Sequence, residues 1–309
     1  MKRIFAGMLT FLIFTVAIGY FIGDYFLGYA LKRGTAEDPK AMPPACAAIA
    51  DPSLVPLKKP LASEEGWEIS SADGLALRAV HLSPSGSSHR WAILVHGYGR
   101  TKEFTWDYAE EYLKQGYHVL APDLRAAGES EGTYITMGTK ESEDIALWAE
   151  RIAREDPEAR IVLHGVSMGA ATVMMASALR PSHVVAVVED CGYTNAYDMF
   201  TMQLKVLFGL PEFPVMQCLD AVSRMKTGCA VSDANPLKSV ARTDLPMLFI
   251  HGDADRLVPC GMMQELLDAS SSPKKEAVTV IGAGHASAKN ADPEKYFSKI
   301  FSFLEPYVQ

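Results

Sequence analysis

One serine in this chain stands where its neighbours are small enough for the backbone to bend sharply around it. The run Gly165-Val166-Ser167-Met168-Gly169 follows a short apolar β-type segment, Ala159 to His164. It precedes Ala170 to Leu179, which is rich in Ala and Met and reads as a helix. A strand, a G-x-S-x-G turn and a helix together display a serine in a strained conformation with its Oγ exposed. The flanking glycines have no Cβ to clash as the chain reverses. The bare pentapeptide also occurs as a turn without chemistry, and it is the strand and helix on either side that favour a nucleophile here.

A serine hydroxyl is a weak nucleophile at neutral pH, so it needs a base and a group to orient that base. The histidines that follow Ser167 are His183, His251 and His285. His285 lies in Ile281-Gly-Ala-Gly-His-Ala286, just past the apolar run Ala277 to Ile281, on a Gly-rich loop able to swing over a serine at the sheet edge. His251 ends the strand Pro246 to Ile250 and His183 begins another, so both read as structural. His285 is the expected base. The acid is expected from the acidic loop His251 to Pro259, where Asp253 and Asp255 compete. Asp255 is favoured, because Asp253 better suits bonding to loop backbone as an Asx-type turn former. Glu189 and Asp190, at the end of the strand Val184 to Val188, form a third option. An oxyanion would need two preorganised backbone N–H groups. The expected donors are Met168, at the start of the following helix, and Tyr98 in the loop His96-Gly97-Tyr98-Gly99. His96 itself reads as a structural hydrogen-bonding residue.

His96-Gly97-Tyr98-Gly99, Gly165-Val-Ser-Met-Gly169, Gly252-x-x-Asp255-x-x-Val-Pro259 and Gly282-Ala-Gly-His285 together resemble the α/β-hydrolase superfamily, in its serine esterase and serine aminopeptidase-like branch. Ala121-Pro122-Asp123-Leu124-Arg125 followed by Gly128-x-Ser130 resembles that family's loop after its fourth strand, although Ala126-Ala127 stands where a Gly and a polar residue are common. The resemblance runs from about Trp67 to the C-terminus. It implies Ser167, Asp255 and His285 as a triad in that chain order, no cofactor, and a small-molecule ester or acyl substrate cleaved through an acyl-enzyme. A serine aminopeptidase and an acyltransferase share that machinery. A non-catalytic scaffold on the same fold is the reading from a different class.

Apolar strand-like runs (Trp91–Val95, His118–Ala121, Arg160–His164, Val184–Val188, Met247–Ile250, Val278–Ile281) alternate with helical stretches (Tyr108–Gln115, Glu141–Arg154, Ala170–Leu179, Met262–Ala269, Pro293–Tyr307). Continuous apolar strands separated by helices predict an α/β fold with a mostly parallel sheet covered on both faces. Glu65 to Leu82, turning at Asp73-Gly74, reads as an antiparallel hairpin at the sheet edge. Between Asp190 and Leu245 the alternation breaks, and a small helical cap is expected over about 193–240. Its Met and Phe residues suit packing of the cap, with lining of an acyl pocket as the alternative.

After Lys2 and Arg3, Ile4 to Ile22 carries no charged residue, a length that suits one membrane-spanning helix of about 20 residues. No small-x-small cleavage pattern follows promptly, so a retained anchor over 1–33 is favoured over a cleaved signal. Charge flanks argue weakly for a catalytic domain outside the cytoplasm. The Pro-rich stretch 34–60 reads as a tether, and 61–309 as the hydrolase domain. A length of 309 residues with 49% hydrophobic content fills a sizeable core. The net charge of -8, with no basic run inside the domain, speaks against nucleic-acid binding. The five cysteines show no metal-ligand spacing and there is no H-E-x-x-H, so a metal mechanism has no support. Cys218 and Cys229 are the pair able to bridge if exported, but unpaired thiols are favoured.

Overall fold

A computed structural model describes residues 2–34, 43–45, 59–60 and 62–309. Most of the Pro-rich stretch, and Cys46 with it, lies outside the described residues. The elements in chain order are α1 (Lys2–Leu31), β1 (Ser63–Ser70), β2 (Ala76–Ser83), β3 (Arg90–Val95), α2 (Trp106–Lys114), β4 (His118–Pro122), α3 (Thr139–Glu155), β5 (Arg160–Val166), α4 (Met168–Ser177) and β6 (Val184–Asp190). They continue with α5 (Ala196–Phe208), α6 (Glu212–Thr227), α7 (Pro236–Val240), β7 (Met247–Gly252), α8 (Gly261–Ala269), β8 (Lys275–Val280), α9 (Ala288–Ala291) and α10 (Pro293–Leu304).

The eight strands form one sheet in the order β1-β2-β4-β3-β5-β6-β7-β8. The expected hairpin β1–β2 is antiparallel at one edge, and β2 meets β4 antiparallel; from β4 to β8 every pairing is parallel. Side chains of a strand alternate between faces, and the core divides accordingly. Trp91, Ile93 and Val95 of β3 pack in one apolar cluster with α3, α4 and α8, while Ala92 and Leu94 pack in the other with α2 and α10. The parallel strands thus have apolar cover on both faces, which is why they read as unbroken apolar runs rather than as alternating ones.

The loop after β4 shows how the Ala126-Ala127 departure is accommodated. The Asp123 carboxylate accepts from the backbone N–H groups of Lys102 and Glu129 and from Lys102 Nζ, at 2.6–2.9 Å. Ala126 takes φ 57° and is fully buried, its N–H held by the Glu131 carbonyl at 2.8 Å. A left-handed alanine costs roughly 1–2 kcal/mol, which the surrounding hydrogen bonds must offset.

The cap of α5, α6 and α7 lies between β6 and β7, as the break in alternation predicted, with a non-helical residue, Phe213, near the start of α6. The described cysteines Cys191, Cys218, Cys229 and Cys260 are all free thiols.

Helix α1 is apolar and long enough to cross a membrane. Its 30 residues continue past Ile22 to Leu31, through the first acid, Asp24, and one face of that extension is part of the globular core. Residues 3–18 are exposed, whereas Leu27 and Leu31 are 0% and 1% exposed. Contact with α6 is made through Gly19 and Gly23, a G-x-x-x-G pair that lets two helix backbones approach closely. A Cβ on Gly23 would stand 2.3 Å from the Cys218 carbonyl oxygen, and one on Gly19 would stand 3.3 Å from Cys218 Sγ. Asp24 pairs with Lys226 of α6, Ile135 N–H donates to the Leu31 carbonyl at 2.9 Å, and Arg33 N–H donates to the Thr133 carbonyl at 2.8 Å. Gly23→Val should therefore destabilise the detergent-solubilised full-length protein by about 1–3 kcal/mol, as overpacking does. Thermal unfolding checks this, with Gly28→Ala, which meets no neighbour within 4 Å, as the control expected to leave the midpoint in place.

Candidate active site

The bend at Ser167 is set by backbone packing. Ser167 has φ 58° and ψ -119°, a conformation costly for any residue with a Cβ. Its neighbours leave no room for side chains: a Cβ on Gly165 would lie 2.1 Å from the Gly169 carbonyl oxygen, and one on Gly169 would lie 2.1 Å from the Val95 carbonyl oxygen. The Ser167 N–H donates to the Asp190 carbonyl at 2.8 Å, and the Ser167 carbonyl accepts from Ala171 N–H at 3.0 Å, which launches α4. The serine is thus fixed between the ends of β5 and α4.

Two loops from the far end of the chain meet it. His285 Nε2 lies 2.8 Å from Ser167 Oγ, and His285 Nδ1 lies 2.7 Å from Asp255 Oδ2. A carboxylate only accepts, so Nδ1 carries the ring proton and Nε2 is left to accept from the hydroxyl. The structure brings Ser167, His285 and Asp255 into one hydrogen-bonded chain. Tyr98 and Met168 both flank the serine: Met168 is the first residue of α4, and Gly97, beside Tyr98, has a Cβ direction 3.3 Å from Ser167 Cβ.

Asp255 is built in from three sides. Its Oδ1 accepts from the N–H groups of Leu257 and Val258, both at 2.9 Å. Its Oδ2 also faces His251 Nε2 at 3.2 Å. Burial alone would raise this carboxyl, but hydrogen bonds from His251 and His285 and the nearby imidazole charge hold it well below the ordinary carboxylate range. Asp253, the competing carboxylate, instead accepts from Gly282 N–H at 2.6 Å and so ties the acid loop to the histidine loop. The third option lies elsewhere. Glu189 accepts from Gly192 N–H at 2.9 Å, and Asp190 Oδ2 accepts from the Tyr296 hydroxyl at 2.7 Å, both carboxylates fully buried at the end of β6. Burial pushes Glu189 up to about 8 and Asp190 up to about 6, the latter against the pull of the Tyr296 hydroxyl and the nearby imidazoles.

The other histidines have structural partners. His96 is buried; its Nδ1–H donates to the Gly97 carbonyl at 2.9 Å, and its Nε2 accepts from Leu124 N–H at 3.0 Å, so one imidazole clamps the 96–99 loop to the loop after β4. His183 Nδ1 lies 3.1 Å from the Ala159 carbonyl. His251 Nε2 lies 2.9 Å from the Val258 carbonyl, but its second contact, to Asp255, is one that strand position alone did not reveal. Cys191, Asp255 and His285 converge closely enough to hold a metal ion, although two of the three are already engaged in the serine chain.

A sequence model of the α/β hydrolase family matches residues 92–298. This chain belongs to the α/β hydrolase family. Among similar proteins are the monoglyceride lipase of Rattus norvegicus, 25% identical over 71% of this chain and 82% of its own, and the monoacylglycerol lipase of Mycolicibacterium smegmatis, 28% identical over 70% and 88%. Among solved structures, an esterase of Pyrococcus furiosus superposes with a TM-score of 0.66 at 25% identity, over 80% of this α/β hydrolase and 92% of the esterase. The fold and these relatives mark the chain as a hydrolase.

The raised Asp190 carboxyl gives this hydrolase a testable pH signature. A folded state that keeps a proton which the unfolded chain has lost becomes less stable as pH rises. The loss runs from about 4, the unfolded value, to about 6, and is complete above that. Asp190→Asn removes this descending limb. Urea unfolding at pH 4 to 7 should show the variant gaining on the native protein by on the order of 2–3 kcal/mol across that window. A gap that does not change with pH would count against it.

Proposed function

We propose that this hydrolase cleaves carboxylic esters through an acyl-enzyme, with Ser167 as nucleophile, His285 as base and Asp255 as its orienter. The observation that carries the reading is the continuous chain from Ser167 Oγ through the His285 ring to Asp255, at 2.8 and 2.7 Å. Ser167 Oγ attacks the carbonyl carbon while its proton passes to His285 Nε2, and the backbone N–H groups of Met168 and Tyr98 hold the resulting oxyanion. Collapse expels the alcohol, which takes that proton from His285. Water then attacks the acyl-enzyme, again giving its proton to His285, and the carboxylic acid leaves as Ser167 regains its hydrogen. The ionised Asp255 stabilises the imidazolium at both stages without accepting its proton.

An ester rather than an aminoacyl substrate is supported by the fate of Glu189 and Asp190. An aminopeptidase needs an exposed anion to hold the substrate's amine, and these two carboxyls are fully buried at the end of β6. The similarity to monoacylglycerol lipases and to an esterase points the same way.

A fluorophosphonate probe should label the full-length protein, and Ser167→Ala should abolish labelling and cut p-nitrophenyl ester turnover at least about 10³-fold. Asp255→Asn should cost about 10³–10⁴ in kcat, whereas Asp253→Asn should stay within about tenfold. Faster turnover of aminoacyl anilides than of esters would overturn the ester assignment, and an unlabelled native protein would favour the scaffold.

We further infer that α1 is a retained single-pass membrane anchor and that the hydrolase domain sits outside the cytoplasm. Signal cleavage at the end of α1, after Leu31, would remove Leu27 and Leu31 from the core, and with them the clamp at Gly19 and Gly23. An N-terminal epitope tag should remain on the mature protein and sediment with membranes after alkaline carbonate. Recovery of an untagged, soluble, active form would contradict a retained anchor.

A further inference from the structure

One reactive side chain beside the serine site takes no part in the hydrogen-bonded chain. Cys191 follows β6 directly, and its sulfur, a carboxylate oxygen of Asp255 and a ring nitrogen of His285 all lie within 4.8 Å of one another. The three residues lie past the ends of β6, β7 and β8, which are parallel neighbours in the sheet. Their spacing along the chain therefore shows no metal-ligand pattern, although the fold gathers them. Cys191 is held in place: its φ is 54°, and its N–H donates to the Ile250 carbonyl of β7 at 2.9 Å. It is 1% exposed, and burial pushes its thiol well above the ordinary range, so on its own it stays protonated. Solvent reaches the group through His285, whose side chain is 16% exposed against none for that of Asp255.

We propose that Cys191, Asp255 and His285 form an inhibitory site for zinc, or for a divalent cation of like softness such as cadmium, which arrests the serine chain by taking its histidine. The inhibition rests on the serine hydrolase reading and deepens it by naming a regulator; the binding itself does not depend on turnover. Sulfur, imidazole and carboxylate suit zinc, whereas magnesium and calcium seek oxygen ligands alone. Two positive charges balance the Asp255 carboxylate and one thiolate, so the buried group stays neutral. Coordination releases the thiol proton to solvent and joins the metal to Cys191 Sγ, an Asp255 oxygen and His285 Nδ1. With the Nδ1 lone pair on the metal, the single proton of the ring sits on Nε2. That nitrogen is then a donor and cannot accept the Ser167 proton. Tetrahedral zinc also holds nitrogen and oxygen ligands about 3.3 Å apart, wider than the 2.7 Å between His285 Nδ1 and Asp255 Oδ2. The ring must move outward, and Gly284 just before it meets no neighbour within 4 Å in its Cβ direction. The same movement draws Nε2 away from Ser167 Oγ, now 2.8 Å from it.

The test titrates full-length protein in detergent micelles with zinc chloride and follows p-nitrophenyl acetate turnover, each variant against its own metal-free rate. The native protein should be inhibited, EDTA should restore the rate, and magnesium or calcium at the same concentrations should leave it unchanged. Cys191→Ala and Cys191→Ser should each raise the half-inhibitory zinc concentration at least about tenfold, the least that loss of even an outer-shell partner costs a metal site. Cys260→Ala, which removes the thiol on the acid side of the site, should shift it less than twofold. Binding is read separately, without turnover, as the ultraviolet cadmium–thiolate absorbance of the Ser167→Ala protein. That signal should disappear when Cys191→Ala is added and weaken at least tenfold in cadmium affinity when His285→Ala is added. If neither Cys191 variant folds, the His285→Ala result decides alone. Zinc inhibition within twofold of native in the Cys191 variants overturns the proposal, as does equal inhibition by magnesium. A cadmium signal that survives the loss of Cys191, or that follows Cys260 instead, overturns it too. A native protein that no fluorophosphonate labels would instead remove the hydrolase reading beneath the proposal, an outcome told apart because the cadmium signal needs no reaction.

Discussion

Three backbone segments are pressed together at the end of the sheet, and the site is a consequence of that contact. The carbonyls of Val95 and Gly169 occupy the space that side chains at 169 and 165 would need, each within 2.1 Å of the missing Cβ. The chain can leave β5 and enter α4 only by passing through a sharply strained residue, and Ser167 is that residue. The same squeeze brings the 96–99 loop against Ser167 Cβ and places the start of α4 beside its hydroxyl. A hydroxyl carried on an ordinary turn would have rotational freedom to lose before meeting an imidazole. Here the fold has already fixed it, with the strain offset by the parallel ladder on both sides of β5.

Around this point the carboxyl groups sort themselves by what faces them. Asp255 and Asp190 are both buried aspartates within reach of imidazoles, yet their tendencies are opposite. Asp255 accepts two backbone N–H bonds and faces two histidines, so its charged form is better solvated by protein than by water. Asp190 has one hydroxyl donor on Oδ2 and no partner on Oδ1 among the described residues, so burial wins and the proton stays longer. How tightly each aspartate holds its proton thus follows the donors that face it. His251 matters here because it adds a second imidazole to Asp255 while anchoring the loop at Val258.

Much of this was legible in the residues. Strand and helix positions could be read because continuous apolar runs and amphipathic stretches have different periods, and G-x-S-x-G with a strand before it and a helix after it marks the junction between them. The hairpin at Asp73-Gly74 and the break that becomes the cap were equally visible, the first through turn chemistry and the second through lost alternation. Ser167, His285 and Asp255 were singled out by their loops and do lie together. His251 was set aside because strand position suggested a packing role, and side-chain partners across a loop leave no mark on local pattern. The helix boundary of α1 was harder for a physical reason. Asp24 ends the uncharged run but not the helix, because Lys226, two hundred residues away, supplies its counter-charge. The G-x-x-x-G at 19 and 23 was there to be read and does signal close helix contact.

That contact changes what the N-terminal helix is to the rest of the protein. A tethered enzyme is ordinarily two independent bodies joined by flexible chain, and its active site does not depend on which membrane, or whether any membrane, holds the tether. Here one face of the last three turns of α1 is core: Leu27 and Leu31 are as buried as the residues of the sheet, and the Ala30 carbonyl accepts from the hydroxyl of Tyr98 in the 96–99 loop. Whatever fixes the tilt of the first five turns therefore constrains the last three, and through Tyr98 it constrains the loop beside Ser167. Cutting the chain before Lys32 would not release an intact soluble domain. It would open the apolar core between α1 and α6 to water, leave Phe208 and Val222 without their partners on α1, and free the Tyr98 hydroxyl from the Ala30 carbonyl. The cost follows from packing alone, since each large apolar side chain returned to water forfeits about 1.5–3 kcal/mol, which is a large share of a margin usually near 5–15 kcal/mol.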